Sequence, residues 1–299
     1  MGQEMVKKIK KIRSVALYAS KNNTRVSQIL GQLIEIIESL DLKIINPKSS
    51  KVKITSMTRE VSDAYAIKNS DLMIAVGGDG TLLSCSRKFG IHGLPILGIN
   101  LGNLGFLNDI APKQITNSLI DILAGHFTVD KRFFLETEIN EKVQNNIALN
   151  EVVIHSGSIA QLIDYELFID NKFVYRQKAD GLIVSTSTGS TAYALSGNGP
   201  IIHPEVNAIC LLPMFPHSLN TRPMIVTEDS TILVIPNKKS FISYDSHIMT
   251  SIKKGEEVYI KKTKQKLHLV HPLDHDFFSA CRTKLGWSLG VPNKNITES

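Results

Sequence analysis

Short apolar runs alternate with longer amphipathic stretches over the first part of the chain. Residues 15–19 form a continuous apolar run, which predicts a buried strand. Val26, Ile29, Leu33, Ile37 and Leu40 then recur at the three- and four-residue spacing of one helix face. Strands are predicted again at Leu72–Val76 and at 95–99, and helices at 81–89 and 112–124, each helix closed by a glycine, Gly90 and Gly125. Strand and helix in alternation predict a doubly wound parallel sheet, an α/β domain.

From about residue 128 the pattern changes to short apolar runs separated by turn signals. Strands are predicted at 133–139, 147–154, 165–169, 173–175, Gly181–Thr186, 232–235, 241–244, 258–262 and 267–270, with Asp170-Asn171 as a hairpin turn. A last helix is predicted over 275–285. The expected organisation is an α/β domain over 1–127, rejoined by 275–299, and a β-rich, sandwich-like domain over 128–274. No repeat, low-complexity tract or Pro/Gly/Ser-rich linker separates the two.

With 299 residues, 42% hydrophobic and 21% charged, the composition is that of an ordinary globular protein with enough apolar residues for a substantial core. No apolar run approaches the ~20 residues of a membrane helix, so no membrane partner is expected. The apolar stretch after Lys7, Lys8, Lys10, Lys11 and Arg13 is too short for a signal peptide, and Val6 stands where a myristoylation signal needs Ser or Thr. Cys85, Cys210 and Cys281 are far apart and form no CxxC pair, which fits a reducing compartment, the cytoplasm, and predicts no protein-held metal. The formal charge of +6 comes partly from that basic run and from Lys253, Lys254, Lys261, Lys262, Lys264 and Lys266. These lack interleaved aromatics, so a nucleic-acid site is not expected, but a mild positive field suits anionic substrates such as nucleotides.

Three segments carry candidate chemistry. The strand Leu72–Val76 runs into Gly77-Gly78-Asp79-Gly80-Thr81, a glycine turn with a carboxylate at a strand's C-terminal end, where open α/β sheets bind ligands. Glycines let the backbone approach phosphate oxygens, and the following helix offers unpaired N–H groups, with Thr81 as its expected N-cap. The spacing is neither a Walker loop nor a dinucleotide fingerprint. Asn150-Glu151 stands at or just inside a strand's start, and an amide with a carboxylate can chelate ribose hydroxyls. Asp180-Gly181 and then Ser185-Thr186-Ser187-Thr188-Gly189-Ser190-Thr191-Ala192-Tyr193 concentrate small hydroxyl residues around glycine, which predicts a shallow surface of donors and acceptors with Tyr193 available to stack, and the abrupt return to Ala194-Leu195 near Gly197 and Gly199-Pro200 argues for a packed turn over a surface loop.

Taken in order, these segments resemble the NAD kinase family, in which a GGDGT turn, an Asn-Glu pair and a (S/A)DG…STPTGSTAY stretch recur. Supporting stretches are Gly98-Ile99-Asn100, Gly102-Asn103-Leu104-Gly105-Phe106-Leu107, Pro216-His217-Ser218-Leu219 with Arg222-Pro223, and Lys284-Leu285-Gly286-Trp287. The similarity is closest to bacterial, ATP-using members. It implies that Asp79 is the catalytic carboxylate beside Gly77, Gly78 and Gly80, and that Asn150 and Glu151 hold the nucleotide. Asp180, Thr191, Ala192, Tyr193, Ala194, Leu195 and Ser196 match the family's dinucleotide pocket, and Phe106, Gln161, Lys178 and His247 occupy its more variable contact positions. The sequence departs from the common pattern at Leu101, where many relatives carry a basic residue, at Ser187 for proline, and at Asn198 within a glycine pair; Ser187 is expected to loosen its turn.

The resemblance implies phosphorylation of the adenosine-ribose 2′-hydroxyl of NAD by ATP with a divalent metal, Mg²⁺, giving NADP and ADP. It also implies a homotetramer built through the β-rich, NAD-binding domain. A carboxylate is a weak base, about 3.9 for a free aspartate, so it would take the hydroxyl proton late in P–O bond formation. Two other readings share parts of the pattern: a lipid kinase of the diacylglycerol type, against which Asn150-Glu151 and the Ser190–Tyr193 turn argue, and a non-catalytic NADP sensor, against which Asp79 argues.

Overall fold

The computed structural model describes residues 11–51, 59–102, 105–108, 110–157, 161–218 and 220–287. Lys7, Lys8 and Lys10 of the basic run, Asn103, Leu104 and Leu219 lie outside the described residues. The chain divides into two compact units, one of Met1–Cys85, Leu94–Val129 and Val270–Ser299, the other of Ser86–Gly93 and Asp130–Leu269.

In the first unit, β1 (Ser14–Tyr18) and β4 (Leu72–Val76) are buried at every residue, as an apolar run without alternation requires of strands covered on both faces. With β2 (Lys43–Pro47), β3 (Glu60–Val61) and β5 (Ile96–Ile99) they form a parallel sheet in the order β3-β2-β1-β4-β5. Helix α1 (Thr24–Ser39) starts where the Asn23 side chain accepts from Val26 N at 2.9 Å, and it buries Val26, Ile29, Leu30, Leu33 and Ile37. Leu40 is its C-cap and is 41% exposed, so the buried face ends one turn earlier than the spacing predicts. Helices α2 (Asp63–Asn69), α3 (Asp79–Lys88) and α4 (Ile115–Leu123) follow. Strand β2 and α2 were not predicted, because Asn46-Pro47 looks like a turn and α2 buries only Ala66.

Helix α3 begins at Asp79, two residues before the predicted start, so Thr81 is not its N-cap. Thr81 lies in the first turn, its N–H donating to Gly78 O at 2.9 Å and its hydroxyl sharing a 2.7 Å hydrogen bond with Ser20. Gly90 does not close the helix either; it opens a 3-10 turn, Gly90–His92, which Gly93 closes with φ 85°. Gly125, at φ 100°, ends the α4 region as predicted.

The second unit contains two antiparallel sheets. Its strands are β6 (Thr128–Ile139), β7 (Lys142–Ala148), β8 (Glu151–His155), β9 (Ile163–Ile169), β10 (Lys172–Ala179), β11 (Gly181–Thr186), β12 (Ala208–Met214), β13 (Met224–Thr227), β14 (Ile232–Pro236), β15 (Ser240–Tyr244), β16 (Ile248–Ile252) and β17 (Val258–His271), with the short helix α5 (Tyr193–Ser196) after β11. One sheet has the order β13-β12-β11-β8-β15-β16; the other contains β10-β9-β14-β17, with β6 beside β17 and β7. Alternate residues of β9, β14 and β15 turn inward, and Val152, Ile154, Val184 and Ile242 share one core with Tyr165, Leu167, Val234 and Ile260.

Several predicted strands are corrected. Residues 147–154 are not one strand: the chain bends at Leu149 and Asn150, which separate β7 from β8. Residues 258–262 and 267–270 belong to one strand, β17. Asp170 and Asn171 adopt φ 50° and 64° and form the predicted hairpin turn. Finally α6 (Phe277–Leu285), capped by Asp276, belongs to the first unit and begins two residues after its predicted start.

Candidate functional site

The glycine turn places Asp79 in the first turn of α3, directly after β4. Its half-buried carboxylate is held at both oxygens: Phe106 N–H donates to Oδ2 at 3.1 Å and the fully buried Asn108 donates through Nδ2 to Oδ1 at 2.8 Å. Phe106 is half-buried and contributes its amide, while Gly105 is required by close approach, since a Cβ there would collide with the Asp79 carboxylate. The result is a carboxylate fixed in direction with acceptor capacity to spare, since each oxygen receives one of these bonds. Gly78 and Gly80 on either side are exposed and Gly77 is buried.

In the second unit, the bend between β7 and β8 presents Asn150 and Glu151. Both are buried, at 8% and 2% exposure, and Asn150 Oδ1 and Glu151 Oε2 have no hydrogen-bond partner among the described residues. Two neighbouring orphan acceptors are unusual inside a protein, because each costs roughly 1–3 kcal/mol when left unpaired. The Glu151 carboxyl is pushed up to about 8, first by burial and then by the charge of Asp245; the Tyr193 amide pulls the other way.

Asp245 holds this bend from behind. Its Oδ1 accepts from Asn150 N at 2.8 Å and Glu151 N at 3.3 Å, and its Oδ2 from Leu149 N at 3.1 Å and Arg87 Nη1 at 2.5 Å. Neither Asp245 nor Arg87 was predicted from sequence, nor was Asn108. Asp245 looks like a turn residue before His247, and Arg87 like a cation in a helix's last turn; nothing in their local spacing separates them from solvated charges.

The hydroxyl-rich segment is not the shallow donor surface its composition predicts. Ser185, Thr186, Ser187, Thr188 and Ser190 are all buried and bonded inward. Thr186 Oγ1 donates to Leu149 O at 2.6 Å, Thr186 N to Asn150 O at 2.8 Å, and Ser190 Oγ to Ser187 O at 2.7 Å. Gly189 fits because a Cβ would strike the Asn150 carbonyl. The segment is therefore the scaffold that fixes the Asn150-Glu151 bend. Ser187, expected to loosen it, ties it down: its hydroxyl bonds to Val206 O and, at 3.2 Å, to Ala208 O.

Beyond this scaffold, Thr191, Ala192 and Leu195 are half-buried, Tyr193 is 41% exposed and Ser196 is exposed. Ala194 is 1% exposed and packs with Val153, Ile183 and Leu212. Half-buried Asp180 donates its N–H to Met214 O at 2.8 Å, and Gln161 is exposed. His247 is exposed in the turn that begins with Asp245 and Ser246, at φ 46° and 59°. Exposed Lys178 lines a hollow of about 790 Å³ with Arg176, Gln177, His217, Thr221 and Arg222, a strongly basic set. A hollow of about 420 Å³ in the first unit, bordered by Lys113, Asp121, His126 and Asp274, contains none of the predicted residues. No helix among the described residues is long and apolar enough to cross a membrane.

Comparison with known proteins covers both units. The family model described as the ATP-NAD kinase N-terminal domain matches residues 7–127, and that of the ATP-NAD kinase C-terminal domain matches residues 149–272. A NAD kinase of Acinetobacter baylyi is 43% identical over 286 residues, 93% of this chain and 93% of its own length. The crystal structure of a yeast NADH kinase complexed with NADH superposes with a TM-score of 0.83 at 23% identity, covering 95% of this chain and 90% of that one. An Archaeoglobus fulgidus NAD kinase in complex with ATP superposes with a TM-score of 0.71 at 25% identity, covering 93% of this chain and 100% of that one.

Proposed function

The chain belongs to the NAD kinase family, and from that premise we propose how its residues divide the work of phosphorylating NAD. The reaction joins the 2′-oxygen of the adenosine ribose to the γ-phosphorus of ATP as the bond to the β-phosphate oxygen breaks, giving NADP and ADP. The transition state is loose, so catalysis rests on alignment and on charge neutralisation. Mg²⁺ enters with ATP as part of the donor substrate and offsets charge on its phosphates.

Asp79 orients the 2′-hydroxyl and takes its proton. Its fixed direction, set by Phe106 N–H and Asn108, supports that role. Gly77, Gly78 and Gly80 leave room for phosphate and ribose. Asn150 and Glu151 hold the ribose, and Asp180, Thr191 to Ser196, Phe106, Gln161, Lys178 and His247 supply the rest of the dinucleotide contacts. The observation that carries the acceptor assignment is the pair of buried acceptors, Asn150 Oδ1 and Glu151 Oε2, for which ribose hydroxyls other than the reacting 2′-hydroxyl are fitting donors. The domain carrying Asp79 is taken as 1–127 with 275–299, and 128–274 as the NAD-binding domain through which a cytoplasmic homotetramer assembles.

The test is formation of NADP from NAD and Mg-ATP by the purified chain, with diacylglycerol as a parallel acceptor. Turnover of NAD alone is expected. Phosphorylation of the lipid, or NADP binding without turnover, would refute the reading.

A further inference from the structure

We propose that Arg87 and Asp245 are a positioning pair that sets both the geometry and the charge state of the Asn150–Glu151 acceptor contact. The β8–β15 ladder runs to the Val152–Tyr244 pair and ends there. Asp245 then turns into the left-handed region, and its carboxylate takes the place of further ladder bonds, gathering the N–H groups of Leu149, Asn150 and Glu151. Its own N–H donates back to Glu151 O at 3.0 Å. Four hydrogen bonds therefore tie one side chain and its backbone to three consecutive residues, the last two of which carry the orphan acceptors.

The Asp245 side chain is fully buried, and Arg87, in the last turn of α3, is 13% exposed. Stability is a weak reason for such a pair, because the desolvation of two buried charges offsets most of their attraction and an apolar pair often serves as well. What an apolar pair could not do is collect three amides and place a negative charge beside Glu151. That charge raises the Glu151 carboxyl in addition to burial, and Arg87 is the cation paired with Asp245. Among the described residues, the other groups that bear on Glu151 are neutral: the Tyr193 amide from α5, and from β11 Ser185, whose hydroxyl bonds to the Asn150 and Thr186 carbonyls.

A ribose hydroxyl that donates to Glu151 favours its ionised form. In the free protein that form is disfavoured below about pH 8, and kcat/KM for NAD should rise with pH through that region. Asp245→Asn removes the neighbouring negative charge, so the limb should move to lower pH. Arg87→Gln leaves Asp245 uncompensated, so the limb should move to higher pH. Both variants should raise KM for NAD about tenfold or more and leave KM for ATP within about twofold, and Arg87→Lys should restore most of the loss.

The inference rests on reading Asn150 and Glu151 as the acceptor contact, so Glu151→Gln is measured beside these variants. If Glu151→Gln changes neither KM for NAD nor the limb, that reading and the positioning pair fall together. If Glu151→Gln acts while Asp245→Asn and Arg87→Gln match the wild type, only the pair is refuted. Limbs that move in the same direction in both variants also overturn it, because general loosening of the fold would do that. Should Asp245→Asn not fold, Arg87→Gln and Arg87→Lys decide: the proposal stands if Gln raises KM for NAD and shifts the limb upward while Lys does neither, and falls otherwise.

Discussion

Replacing Asp79 by asparagine keeps the size of the side chain and removes its ability to take a proton. Loss of the base and of the orienting charge should lower kcat about 10²- to 10⁴-fold, or roughly 3–5 kcal/mol of transition-state stabilisation. The surroundings also predict a structural cost. Phe106 N–H and the Asn108 amide converge on the two carboxylate oxygens, and asparagine has only one acceptor oxygen for them. One donor would face the new NH₂ group. Because Asp79 is half-buried, water can satisfy part of that loss, so the cost should be about 1–2 kcal/mol, and the melting temperature should fall by about 2–8 °C. Turnover of NAD and melting temperature, with and without NAD, should be measured on the same preparation. A folded variant that still shifts with NAD and has lost at least a hundredfold in kcat is expected. Near-normal kcat in a folded variant would refute the catalytic role, and failure to fold would make Asp79 a structural turn residue.

Gly105→Ala should push the Asp79 carboxylate out of position, and a displacement of about 1 Å should cost about a hundredfold in kcat, measured against an unchanged fold by circular dichroism. Lys178→Ala and His247→Ala should raise KM for NAD or alter the NAD/NADH preference several-fold without loss of folding; unchanged kinetics with both acceptors would remove them from the site. Ser187→Ala should lower stability by about 1 kcal/mol in denaturant titration, because it breaks the ties to Val206 and Ala208.

Much of the framework could be read from the chain because it follows from local periodicity. The apolar runs of β1 and β4, the spacing of α1 and the left-handed Asp170-Asn171 turn each encode their own structure over a few residues. Asp79, Asn150 and Glu151 stood out as short polar signals at strand ends, and it was the ordered resemblance to a family, not local spacing, that implied roles for them. The supports did not stand out. Asn108 meets Asp79 across 29 residues of chain, and Arg87 meets Asp245 across 158, separations over which composition and periodicity carry no information. The hydroxyl-rich segment was legible as a packed turn, but not as one whose hydroxyls face inward. Serine and threonine look like surface residues by type, yet they can be buried at little cost when each hydroxyl finds a carbonyl, as Thr186 and Ser190 do.

The three departures from the family pattern show how this chain keeps the same framework by other means. Where a basic residue is common, Leu101 packs as a partly buried apolar side chain against the core of the first unit, so it supplies contact area rather than charge. Where proline would fix φ, Ser187 stands at φ −57°, within proline's own range, and its hydroxyl adds bonds to two carbonyls that proline could not make. Asn198 takes φ 63°, a conformation asparagine adopts more readily than other residues with a Cβ, so the turn keeps its path without a second glycine. Each change alters which interaction fixes the backbone and leaves unchanged the polar groups assigned to the reaction. Asp79, Asn150 and Glu151 depend on direction, and direction here comes from buried neighbours that the motif itself does not contain: Asn108, Asp245 and the inward-facing hydroxyls.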